Sequence, residues 1–100
     1  MEVKFLSVAE KEFLDTVSYY NFQKKGLGYE FAAEIKKTIG RIIQYPKAWP
    51  ELSTRTRRCI TNRFPYGVIY QLDRDIIFII AVMHLSRKPQ IWKNGLKNRV

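Results

Sequence analysis

The stretch that most restricts the fold is Asp75–Trp92, whose first half, Ile76–Met83, is an unbroken apolar run rich in β-branched residues. It is too short to span a bilayer and has no polar gaps at helical spacing, so it reads as a strand buried on both faces. Directly after it the sequence turns cationic, with His84, Arg87 and Lys88, followed by Pro89 and Trp92. A rigid central strand ending in such a cluster holds it at a fixed place on the surface. The functional residues are expected there.

The rest of the chain supplies what covers that strand. Val3–Leu6 reads as a short first strand. Ser7-Val8-Ala9-Glu10 has the spacing of a capping box, and a helix is predicted over Val8–Lys25, with Phe13, Val17 and Tyr20 inward. Lys24 and Lys25 suit its last turn. After a break at Gly26-Leu27-Gly28, a second helix turns Phe31, Ile35, Ile39 and Ile42 inward and ends before Pro46. Gly40 within it is a position for close approach to the first helix. A loop follows over Pro46–Thr56, and then strands over Arg57–Arg63, Gly67–Asp73 and Asp75–His84.

Val68, Tyr70 and Leu72 alternate with Ile69, Gln71 and Asp73, as on a half-buried strand. Asp73-Arg74-Asp75 is the hairpin turn. The order β-α-α-β-β-β makes one α+β domain over residues 1–100, a helical hairpin packed on a small, mainly antiparallel sheet. The tail from Lys93 reads as a short helix or a loose end.

The 18 Lys and Arg against nine Asp and Glu give a formal charge of +9. The excess is concentrated in residues 51–100, with ten basic and three acidic side chains. Such a surface suits a polyanion or an acidic protein, although a merely soluble basic protein has the same balance. The one cysteine, Cys59, excludes an internal disulfide and reads as a buried thiol in a reducing compartment. Residues 1–7 lack the apolar core of a secretory signal, so the cytoplasm is expected. One histidine, one cysteine and no clustered carboxylates make a metal site improbable, and no cofactor-binding loop is present. Neither helix has the strongly basic face of a membrane-surface helix.

Arg57, Arg58 and Arg63 fall on one predicted strand, and His84, Arg87 and Lys88 at the end of another. With Tyr66, Tyr70 and Trp92 they form a basic and aromatic set suited to single-stranded RNA. In metal-free RNA cleavage His84 would be the proton-transfer group, with arginines holding charge on the phosphorane. The structural alternative is a hydrogen-bonding His84, tyrosines packed on the sheet, Trp92 over a sheet edge, and arginines facing an acidic protein.

Together, Arg63-Phe64-Pro65-Tyr66-Gly67-Val68-Ile69-Tyr70 and Ala81-Val82-Met83-His84-Leu85-Ser86-Arg87-Lys88-Pro89-Gln90-Ile91-Trp92 resemble the RelE/ParE superfamily of type II toxin–antitoxin toxins, over nearly the whole chain. The resemblance implies a small cytoplasmic toxin held inactive by a cognate acidic antitoxin. RelE-like members are mRNA endonucleases of the ribosomal A site, and ParE-like members inhibit DNA gyrase. The RelE pattern places cations at Arg58, at the position of Gly67 and at Arg87, with an aromatic near Trp92. Glycine at 67 departs from it, and the Phe-Pro-Tyr and His-x-x-Arg-x-Pro forms look closer to ParE-like members. The resemblance therefore implies a gyrase-binding toxin, with a ribosome-dependent endonuclease as the alternative. For a nuclease the catalytic candidates are His84, Arg87 and Arg58. The target- or nucleic-acid-binding candidates are Arg57, Arg58, Arg63, Tyr66, Arg87, Lys88 and Trp92. A third alternative is an inactive member that works only with its antitoxin as a repressor.

Overall fold

The computed structural model describes residues 1–87. Lys88 and Trp92, expected in the cationic cluster, and the tail from Lys93 lie outside the described residues. The apolar run forms β4 (Ile76–His84) and takes a central place in the sheet. The other elements are β1 (Glu2–Phe5), α1 (Ser7–Gln23), α2 (Leu27–Gln44), β2 (Arg57–Ile60) and β3 (Tyr66–Asp73). The sheet order is β1-β4-β3-β2, with β1 parallel to β4 and the other pairs antiparallel. This is the expected α+β order. Arg74 takes φ 58° in the turn joining β3 to β4, a left-handed conformation tight hairpin turns require.

Two apolar clusters sandwich the sheet. Under the helices, Phe31, Ile35 and Ile42 meet Val68, Tyr70, Ile77, Ile79 and Val82. On the opposite face Ile69, Ile80, Ala81 and Met83 form a smaller cluster with Leu6 and Leu52. The second cluster corrects the expectation for β3. That strand is buried on both faces from Gly67 to Gln71, not half-buried. A bulge sets the register between them: Ile69 pairs with Ala81 but Tyr70 with Ile79. Ile80 is thus the extra residue, and both it and Ala81 join the second cluster.

The ends of α1 also differ from the expected ones. Leu6, in extended conformation, donates its N–H to Ile79 O, so the strand runs straight into a helix that starts at Ser7. The capping box does not form, because Leu6 occupies the cap and no side chain caps it. At the other end Lys24 is already extended, which leaves Lys24 and Lys25 beyond the last turn. The β2 strand stops at Ile60 and not at Arg63. The reason is tertiary: the Glu34 carboxylate, 6% exposed, accepts N–H bonds from Asn62 (2.6 Å) and Arg63 (3.3 Å). Those amides face α2 and make no ladder.

The glycines exchange their expected roles. Gly26 supplies φ 87° at the helical corner, as a tight break needs. Close approach to α1 belongs to Gly28, where a Cβ would lie 2.1 Å from Val17 O. Gly40 has nothing within 4 Å of such a Cβ. Gly28→Ala is therefore expected to destabilise by about 3 kcal/mol through overpacking. Gly40→Ala, at an exposed helical site, is expected to stabilise by about 0.5–1 kcal/mol. Urea unfolding of the two variants checks both signs.

Candidate functional site

The site is built where β1 stops and β4 continues. The β1 ladder ends at Phe5 opposite Ile79, so among the described residues the stretch Ile80–His84 has no strand on that side. Helix α1 passes there, and Glu12 Oε1 accepts the Val82 N–H at 3.1 Å. A carboxylate thus takes the place of the missing strand. Beside it lies a cleft of about 140 Å³ lined by Glu12, Asp15, Thr16, Tyr66, His84 and Arg87. Burial raises the Glu12 carboxyl above its ordinary value, against the opposing pull of the Val82 N–H and the Arg87 charge.

His84 and Tyr66 face each other across the β3–β4 ladder, with ring centroids 5.2 Å apart. The His84 Nδ1 accepts from the Ser86 N–H at 3.0 Å, and Ser86 Oγ lies at 2.8 Å. A neutral ring accepting at Nδ1 carries its proton on Nε2. The atom it offers to a ligand is then a donor, suited to holding an oxygen more than to taking a proton. Tyr66 is half-buried against Phe31 and Tyr20, with centroids 5.0 and 6.2 Å away. Tyr70 is fully buried and donates its hydroxyl to Pro46 O. Burial pushes that hydroxyl up to about 12. Cys59 is buried too, and burial raises its thiol.

Arg57, Arg58 and Arg63 do not gather with them. Adjacent strand residues point to opposite faces, and Arg57 and Arg58 do so. On the helix side, Arg57 donates to Trp49 O at 2.7 Å and pairs with Glu51 at 3.0 Å. On the far face, the aliphatic stem of Arg58 covers Gly67, where a Cβ would meet its Cδ at 2.9 Å. Arg63 has left the strand, pairs with Glu30 at 2.9 Å and lies over the Phe64 ring. The structure thus groups Tyr66, His84 and Arg87 and sets Arg57, Arg58 and Arg63 apart. Two residues here had no place in the sequence reading. Glu12 reads in sequence as one more acidic side chain of the first helix, though Thr16 one turn on flanks the same buried stripe. Nothing near Glu34 in sequence points to Asn62.

Glu12→Gln keeps the acceptor for Val82 and removes the charge. A carboxyl raised in the folded state favours stability below its unfolded value, and that share is lost as pH rises through the folded value. Unfolding measured from pH 4 to 7 is expected to show Glu12→Gln gaining stability relative to wild type, mainly just above the ordinary Glu value of 4.5.

Residues 3–89 match the family described as the ParE toxin of type II toxin–antitoxin system, parDE. Among solved structures the chain is similar to one from the chromosomal ParDE toxin–antitoxin system of P. aeruginosa. The TM-score is 0.74 at 14% identity, over 84% of this chain and 95% of that one. It is also similar to the isolated E. coli RelE toxin, with TM-score 0.62 at 16% identity, over 99% and 98% of the two chains. At those identities the structural likeness is one of fold. No curated protein matches the chain.

Proposed function

The chain belongs to the ParE toxin family of type II toxin–antitoxin systems, and on that premise we propose that it arrests growth by binding and inhibiting DNA gyrase. A cognate acidic antitoxin neutralises it. Its P. aeruginosa structural neighbour likewise comes from a toxin–antitoxin system, and the +9 charge suits an acidic partner. On this reading the protein works in the cytoplasm as a binding protein. Among the described residues no helix is long and apolar enough to cross a membrane.

One observation carries the choice of target: among the described residues, Arg57, Arg58 and Arg63 are dispersed and stand apart from Arg87. Stabilising a phosphorane takes several donors aimed at one phosphate. Here Arg57 is engaged by Glu51, Arg63 by Glu30, and Arg58 lies over Gly67 on the far face from the helices. Recognition of a protein surface needs complementary charge spread over an area, and dispersed arginines provide it. Arg87 beside the Glu12 cleft, with Lys88 and Trp92 following in sequence, is the contact we assign to gyrase. Arg58 adds a second contact.

In a supercoiling assay with purified gyrase, micromolar toxin is expected to inhibit. Arg87→Ala should cost about tenfold in potency, the loss of one good interface contact. Full gyrase activity at that concentration contradicts the proposal. If primer extension on translated mRNA then shows cuts that Arg87→Ala abolishes, the endonuclease reading replaces it.

A further inference from the structure

Helix α1 is scarcely amphipathic, whereas α2 is strongly so. The cause lies on the outer side of α1, where Val8, Tyr19 and Phe22 are 60%, 57% and 90% exposed. With 3.6 residues per turn, Val8, Lys11, Asp15, Tyr19 and Phe22 form one stripe opposite Ala9, Phe13, Val17 and Tyr20, which pack into the core. The steps along the stripe are three, four, four and three residues. The pattern reads the same in both directions about Asp15. Its two ends are apolar, and its middle is the exposed Lys11–Asp15 pair at 2.8 Å.

We propose that this stripe is a self-association surface, on which α1 of a second copy lies antiparallel across a two-fold axis at Asp15. In that arrangement Val8 of one copy meets Phe22 of the other. Lys11 meets the ring of Tyr19, a cation–π contact, and each pair occurs twice. At the axis the two Asp15 carboxylates approach, each already held by its own Lys11.

Charge selects this occupant. Helix α1 carries one of the 18 Lys and Arg and three of the nine Asp and Glu. Two copies of a +9 chain repel over most of their surface, and a stripe whose charges cancel is where they can meet. An acidic partner finds no charge attraction on a helix that is itself acidic overall. A 17-residue helix is about 25 Å long, so α1 against α1 falls at the low end of specific interface areas. The dimer is accordingly weak, with Kd on the order of 100 µM.

Sedimentation velocity of the full chain from roughly 10 µM to about 1 mM spans that range. A monomer–dimer shift is expected, and Phe22→Ser should weaken it by at least about tenfold. Unfolding curves confirm that this exposed site leaves the fold intact. Under mild oxidation, Asp15→Cys on the axis should yield a linked dimer and Tyr29→Cys, on α2, should not. A monomer throughout, or equal dimerisation by Phe22→Ser, overturns the proposal. So does equal cross-linking by the two cysteine variants. If Phe22→Ser leaves the chain monomeric like wild type but weakens antitoxin binding, the stripe belongs to that partner and the proposal falls. Neither measurement involves gyrase, so its outcome is separate from that of the target assigned above.

Discussion

The fold depends on burying one strand from two sides. Ile77, Ile79 and Val82 of β4 face the helices, and Ile80, Ala81 and Met83 face away, all 5% exposed or less. Each large aliphatic among them contributes about 1.5–3 kcal/mol when removed from water. Burial on both faces leaves the edges of the strand as its remaining contact with the rest of the molecule. β3 covers one edge along its whole length, and β1 covers only the first half of the other. On the other half, among the described residues, a side chain of α1 accepts the Val82 N–H. That substitution of Glu12 for a strand opens the cleft at His84 and Arg87.

The helical hairpin therefore has two tasks. Its inner stripe closes the core, and its flank completes a sheet edge and furnishes one wall of the cleft. α2 acts at a distance in the same way. Through Glu34 it pulls the amides of Asn62 and Arg63 out of the β2 ladder, and Arg63 is delivered to Glu30. Both devices are carboxylates accepting backbone N–H bonds, Glu12 beside β4 beyond the end of β1 and Glu34 at the end of β2. The cation distribution follows from those endings. β2 is too short to hold Arg63, and its pleat sends Arg57 and Arg58 to opposite faces.

Much of the architecture was legible in the residues. The β-branched run could only be a buried strand, and the spacing of Phe31, Ile35 and Ile42 could only be the inner face of a helix. The separation of Arg57 from Arg58 was also there to be read, because neighbours on a strand never share a face. Other features depend on partners far away in sequence. Arg57–Arg63 contains no breaker, and its strand ends early because of Glu34. Gly28 and Gly40 look alike in a helical pattern, and only the crossing with Val17 tells them apart. Ser7 and Glu10 have the spacing of a box, but the bond from Leu6 N–H to Ile79 O had already placed the helix start.

The central claim is that a side chain of α1 protects a strand edge as a neighbouring strand would. Amide hydrogen exchange at Val82 tests it most directly, since its N–H points away from β3. In the wild type the account predicts protection at Val82 comparable to that of the β1-paired amides of β4, and a selective loss there in Glu12→Ala. A Val82 amide that exchanges in the wild type as fast as an open loop, or that keeps its full protection in Glu12→Ala, would contradict it.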